Sequence, residues 1–331
     1  MSKVLTISYN GSEIKTMSDL GSVTLNTAGT IAADDIGIVW GEEPIGTLEE
    51  TEWSKISEIA QSGNAGSYWS VGDTKSVELK GTCGTLSLDT TLYVFIIGIN
   101  HQSINGITFQ GFKTANGGTD VCLIDASYNS NKYDGTKIFN LNHWGSSSSP
   151  YNTNYGGWKG CDARYDILGS TNTKPSGYGS TPTTSRVGYN AGTTTATKPV
   201  SNTLMSCLPS DLRAVMRPMT VYTDNKGNSS NTSANVTTSV DYLPLLAEYE
   251  IFGTRQRANQ YEKNHQAQYA YYLNGNSKVK YRHSSIGETA IWGTRSPYYS
   301  DAIEFCIVYA NGVYATAYSR SSYGLAPTFM V

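Results

Sequence analysis

The pattern of apolar and polar positions changes period several times along the chain, and each change marks an expected element. Val4-Leu5-Thr6-Ile7-Ser8-Tyr9 alternates and stops at Asn10-Gly11, as a strand entering a turn does, and Glu13-Ile14-Lys15-Thr16-Met17 is its expected partner. Val23-Thr24-Leu25 and Ile36-Gly37-Ile38-Val39-Trp40 would complete a small β module over residues 1–40. Residues 41–52, with Pro44, Gly46 and several glutamates, read as a linker. From Trp53 the period lengthens: Trp53, Ile56 and Ile59 or Ala60 share one helical face, which predicts a short amphipathic helix. Ser76–Gly81 alternates like a strand, and Leu92-Tyr93-Val94-Phe95-Ile96-Ile97-Gly98-Ile99 is a continuous apolar run expected to be a strand buried on both faces. Ile107–Phe112 and Val121–Ile124 are further strand candidates.

Beyond residue 150 the signals become sparser. Trp158, Cys161, Tyr165 and Leu168 have helical spacing and predict a helix over Gly157–Leu168 despite its glycines. Gly169–Ser201 is a Gly/Ser/Thr/Pro stretch with almost no aliphatic side chains, a long surface loop. Leu208–Met216 predicts a helix with Ser210 as its N-cap. Val221–Thr223 is extended, Asp224–Ser239 reads as a polar loop, and Gln260–Leu273 predicts a helix stopped by Asn274-Gly275. The chain closes on two β-rich runs around Asn311-Gly312, a strong hairpin signal. A two-residue type I′ turn there would pair Tyr309 with Tyr314, Ile307 with Thr316 and Phe305 with Tyr318. It would leave Cys306, Val308, Ala310, Val313, Ala315 and Ala317 as an inward face of small apolar side chains. Strands, helix, strands, long loops, short helices and a final hairpin, with no βαβ alternation or fixed repeat, make an α+β protein with much irregular loop.

Composition sharpens this picture at one point. Among 331 residues there are 24 Tyr against 7 Phe and 6 Trp, and charged residues are only 15%. Tyr amid Gly, Ser, Thr and Asn is the make-up of an exposed recognition surface, where Tyr is a rigid anchor and the small polar residues adapt. Tyr also simply fills β positions, and the totals leave both readings open. A net charge of −3 gives no attraction to nucleic acid or anionic membranes. No run is long and apolar enough for a membrane span, and no secretory leader precedes Leu5, so the chain is expected to be made in a cytoplasm.

Candidate chemistry is thin. Five cysteines, at 83, 122, 161, 207 and 306, show neither CxxC nor metal spacing, and Cys122, Cys207 and Cys306 read as buried thiols. His143, between Asn142 and Trp144, could be a metal ligand or a general base, but the structural reading of such a histidine is favoured. His101, His265 and His283 stand alone. Glu248 and Glu250 would share a face in a strand and not in a helix. No motif calls for a cofactor, and a structural Ca²⁺ held by loop oxygens would leave little trace in sequence.

Six segments occur in an order that carries a resemblance. They are Asn140-Leu141-Asn142-His143-Trp144, Gly157-Trp158, Leu208-Pro209-Ser210-Asp211-Leu212, Leu245-Leu246-Ala247-Glu248-Tyr249-Glu250, Trp292-x-x-Arg295-Ser296-Pro297 and Gly324-Leu325-Ala326-Pro327-Thr328-Phe329. Together they resemble the C-type-lectin-like domain of phage tail and receptor-binding proteins. That group includes variable proteins diversified by retroelements and shares the formylglycine-generating-enzyme type of fold. The resemblance spans residues 50 to 331 and implies a lectin-like ligand-binding domain over 53–331. The 1–40 module, with Ile7-Ser8-Tyr9-Asn10-Gly11 and Ala33-Asp34-Asp35-Ile36, is similar to attachment modules of tail-associated proteins in Firmicutes phages.

The resemblance implies a non-enzymatic virion protein of the tail, fibre or baseplate, made in the host and extracellular on the particle. Its expected partners are a host cell-surface glycan or protein, other tail proteins and further copies of itself, most often as a homotrimer. Trp292, Arg295, Ser296, Pro297, Gly324, Pro327, Phe329 and Glu248 would be framework, with Glu248 or Glu250 tying down Arg295 or backbone amides. Tyr298, Tyr299, Asp301, Asn311, Tyr314, Tyr318, Arg320, Ser321 and Tyr323 would touch the ligand. The enzymes of this fold need a redox-active cysteine pair, and Cys306 has no cysteine near it in sequence. The calcium and sugar signature of classical C-type lectins is absent. The competing expectation is a structural virion component whose Tyr-rich face is a subunit interface.

Overall fold

The structure is a computed structural model that describes residues 3–9, 12–14, 36–42, 45–124, 139, 141, 153–171 and 195–331. The expected Val23–Leu25 strand, Asn140, Asn142, His143 and Trp144, and most of the 169–201 stretch lie outside these residues. The chain divides into two compact units, Met1–Thr47 and Leu48–Val331. In the first, β1 (Lys3–Tyr9) pairs antiparallel with β2 (Ser12–Ile14) and with β3 (Ile36–Glu42), in the order β2-β1-β3.

The second unit starts inside the expected linker. Leu48 and Thr51 are buried, and the Glu49 carboxylate accepts hydrogen bonds from the Ser76 amide (2.6 Å) and hydroxyl (2.5 Å). The expected helix follows as α1 (Trp53–Gln61), burying Trp53, Ile56, Ile59 and Ala60. Trp53 meets Phe109 and Phe329 edge-on, with ring centroids 5.5 and 6.1 Å away. Next come β4 (Thr74–Cys83), β5 (Leu86–Ile99), β6 (Ile107–Lys113) and β7 (Val121–Cys122). Val94, Phe95, Ile96 and Ile97 are fully buried, as their unbroken apolar run predicts. Short helices α2 (Leu204–Cys207) and α3 (Ser210–Val215) precede the hairpin of β8 (Met219–Asp224) and β9 (Val236–Asp241). Then follow α4 (Glu248–Phe252), α5 (Ala270–Leu273), β10 (Lys280–Arg282), β11 (Ser285–Ala290), β12 (Trp292–Pro297), β13 (Glu304–Val308), β14 (Tyr314–Tyr318) and β15 (Thr328–Met330). The fold is mixed α+β, mostly strands with short helices. Its largest sheet runs β15-β6-β5-β4, so the last strand closes a sheet begun 250 residues earlier.

Several expected elements take other forms. Gly157–Leu168 is a run of turns followed by a π-type helix at Ala163–Ile167, because Gly157 lies in the left-handed region (φ +51°). A Cβ there would meet the Asp224 carbonyl oxygen at 1.9 Å. This segment is held by tertiary contacts instead: buried Asp241 accepts from Arg164 Nε (2.5 Å), Trp158 Nε1 (3.2 Å), Ser170 Oγ (2.9 Å) and Ser239 Oγ (2.6 Å). Helix α3 has Pro209, not Ser210, at its cap position. Only Ala270–Leu273 of the expected Gln260–Leu273 helix is α-helical. The Gln266 and Gln268 side chains donate to the carbonyls of Tyr222 and Ile251, and so fix a non-helical path. The expected polar loop 224–239 contains the first part of β9.

Candidate functional site

The site is built outward from β12, which is buried at every position. An arginine inside a sheet is stable only if its charge and donors are matched. Arg295 Nη1 and Nη2 donate to the two oxygens of Glu250 at 2.6 and 2.5 Å, Nη1 also to the Leu245 carbonyl at 2.7 Å, and Nε to Thr223 Oγ1 at 2.9 Å. The two glutamates divide the roles expected of them. Glu250 clamps Arg295, while the Glu248 carboxylate accepts from the amides of Gln256, Arg257 and Ala258 at 2.8–2.9 Å. Both sit at the start of α4, so neighbouring positions point to different partners. Ser296 joins this frame to Glu262: its hydroxyl donates to Glu262 Oε2 at 2.6 Å and accepts from the Glu248 amide at 3.2 Å. Burial pushes the Glu262 carboxyl up to about 7, against the pull of hydrogen bonds from the Asp224 amide and Ser296.

Outside the frame lies the surface. The amides that Glu248 holds belong to the loop carrying Arg255 and Arg257, and this loop lies against Tyr298 and Tyr299 where the chain leaves β12. Tyr299 N donates to Arg257 O at 3.1 Å, and Ala258 forms a bridge with Tyr298. The Arg255 guanidinium stands 4.2 Å from the Tyr299 ring centre and that of Arg257 5.8 Å from Tyr298. The two rings meet edge-on at 5.5 Å. Fully buried Asn154 secures the following loop, its Nδ2 donating to the carbonyls of Asp301 (2.7 Å), Glu304 (2.8 Å) and Tyr298 (3.4 Å). Asp301 Oδ1 accepts from Ile303 N at 2.7 Å. Asn154, Arg255 and Arg257 were not singled out from sequence, since their partners lie far along the chain.

The hairpin forms, but its register is shifted by one from the expected pairing. Cys306 faces Thr316 and Val308 faces Tyr314, so the loop has three residues, closed by Tyr309 N to Val313 O at 2.8 Å. Gly312 takes the left-handed position (φ +83°) that such a loop needs. A one-residue slip turns every side chain of one strand over. Tyr314 and Tyr318 thus share a face with Cys306 and Val308, and the expected inward face is corrected: Val313 is 49% exposed, and Ala310, Ala315 and Ala317 are half-exposed. Tyr309, Tyr314 and Tyr318 stay open to solvent at 47%, 41% and 44%. Asn311 is exposed, and Tyr298, Tyr299, Asp301, Arg320 and Ser321 are half-buried. Tyr323 is not a surface residue: it is 1% exposed, and its hydroxyl donates to the Tyr318 carbonyl at 2.6 Å. One row across the sheet brings Tyr298, Glu304 and Tyr318 side by side, and Arg320 lies 5.5 Å from the Tyr318 ring.

Residues 141–331, more than half of the chain, match a family described as a domain of unknown function, DUF6273. The chain belongs to the DUF6273 family. No curated protein and no solved structure matches it. The DUF6273 segment holds the whole frame around Arg295 and every surface residue named above. It also depends on what precedes it, because β15 pairs with β6 and β10 with β7. Expected framework residues Trp292, Pro297, Gly324, Pro327 and Phe329 of this DUF6273 chain are buried. A Cβ on Gly324 would stand 2.2 Å from Cys122 Sγ.

All five cysteines are buried thiols. Burial raises the thiols of Cys122 and Cys207 to about 12 and about 11, and lifts that of Cys306 well above its ordinary value, which keeps them protonated at neutral pH. His101 stacks on Tyr269, His265 stacks on Tyr222, and His283 Nδ1 accepts from Ile124 N. No group of three or more His, Cys, Asp or Glu among the described residues is arranged for a metal ion, and no helix there is long and apolar enough to cross a membrane.

Proposed function

We propose that this protein is a non-catalytic adhesin of a phage virion, a tail, fibre or baseplate component whose second unit is a C-type-lectin-like domain. The receptor-facing surface is the outer part of the β12-β13-β14 sheet, and the ligand is a host cell-surface glycan or protein. The observation that carries this reading is the exposure of Tyr309, Tyr314 and Tyr318 on a sheet whose first two strands are almost wholly buried. Large rings with a polar tip, held open to water by a rigid support, are the groups that dominate recognition when a partner covers them. The test is retention of the purified protein on a panel of bacterial cells. Tyr314→Ser with Tyr318→Ser is expected to abolish retention while the thermal midpoint stays in place; full retention by that variant overturns the reading.

The same exposed rings would serve a structural virion protein that packs copies edge to edge along β14. In that case the double variant changes oligomeric state by light scattering and leaves cell retention, if there is any, untouched.

A further inference from the structure

We infer that the recognition surface includes a built subsite for an anionic group of a glycan, a carboxylate or a phosphodiester, held by Arg255 and Arg257 above Tyr299 and Tyr298. This rests on the adhesin reading and names the ligand chemistry of that surface. Four observations carry it.

First, the loop bearing both arginines is fixed before any ligand arrives, since the buried Glu248 carboxylate holds three of its successive amides. A pre-set loop avoids the ordering cost that weakens surface binding. Second, each guanidinium lies by a phenol ring, at 4.2 and 5.8 Å. Stacking on a ring uses the flat face of a guanidinium and leaves the N–H edge free for an oxyanion. Third, among the described residues neither arginine has a carboxylate within ion-pair distance, whereas Arg164, Arg282 and Arg295 each have one. Glu248, which holds this loop, is occupied by backbone. Arg255 Nε donates to Ala258 O at 2.7 Å, but its Nη2 is shielded from water and has no acceptor. Fourth, the surrounding charge selects the ligand. The chain is net −3, and Asp301 and Glu304 belong to the stretch that follows Tyr298 and Tyr299. A dense polyanion is therefore repelled, while one charged group set among neutral sugar faces can reach the arginines and still stack on the rings.

The experiment measures binding of the full chain to three soluble probes: sialyllactose for the carboxylate, a neutral oligosaccharide carrying one glycerol-phosphate diester for the phosphodiester, and neutral dextran. Wild type is expected to bind one of the two anionic probes and not dextran, and to lose about tenfold or more in affinity between about 0.05 M and about 0.5 M NaCl. Arg255→Ala with Arg257→Ala is expected to cause a loss of the same size, and Arg257→Ala alone, at an exposed position that folding does not need, a smaller one. Binding that ignores salt and both variants, equal binding to dextran, or no binding to either anionic probe overturns the inference. Cell retention separates the two levels. If cells are still held through Tyr314 and Tyr318 while the anionic probes fail, only the subsite falls; if cells are not held at all, the adhesin reading falls with it.

Discussion

Strand β13 has two neighbours, and they could hardly be more different. On one side β12 is buried along its whole length and carries an arginine matched atom for atom. On the other, β14 leaves both its terminal tyrosines more than two-fifths open to water. The first neighbour anchors the sheet in the core, and the second leaves its outer edge open. Side chains on β12 answer to partners inside the molecule, so changing them should cost folding; on the proposed reading those on β14 answer to something outside, so changing them should cost binding.

The largest expected effect lies on the inner side. Arg295→Met strands Glu250 in the interior and should lower the unfolding free energy by about 3–5 kcal/mol, read from urea melts. A smaller loss would mean that water reaches the site. Glu262 gives a test that depends on pH. Its folded value of about 7 lies above the ordinary 4.5, so the folded state keeps a proton that the unfolded state loses as pH rises from about 4.5 to about 7. Its contribution to stability therefore falls through that window and is flat above it. Glu262→Gln removes the titration, so the variant should gain on wild type between pH 5 and pH 8, by up to roughly 3 kcal/mol at ~1.4 kcal/mol per pKa unit. A stability difference independent of pH would break the assignment. Gly324→Ala presses a methyl group on Cys122 and should cost about 1–3 kcal/mol, part of which Cys122→Ala restores in the double variant. At the outer edge, Tyr314→Ser and Tyr318→Ser should each move stability by less than about 0.5 kcal/mol. A cost there as large as at Arg295 would erase the distinction between the two neighbours.

What could be read in the sequence follows the same line. Helix α1 and strand β5 were legible because a single local period decides them, and each buries the face its spacing predicts. The existence of the last hairpin was legible from Asn311-Gly312, but not its register. Those two residues suit a three-residue loop as well as a two-residue one, and the apolar run of β13, buried on both faces, does not choose between them. The Gln260–Leu273 segment has the composition of a helix, yet Glu262, Gln266 and Gln268 are each committed to groups elsewhere in the fold, and those commitments override propensity. Within the candidate site, Arg295 and the two glutamates were visible only through the segments that carry the resemblance. Asn154 and the arginines at 255 and 257 were not, because nothing in their own neighbourhood hints at partners that lie tens or hundreds of residues away.

The side chain of Asn154 binds the carbonyls of Tyr298, Asp301 and Glu304 while belonging to a different part of the chain. Its grip is on main-chain oxygens, which every amino acid supplies. The stretch from 299 to 303 therefore behaves as an exchangeable cassette: a new sequence of equal length would inherit the same stem, and the molecule could change what it touches without relearning how to fold.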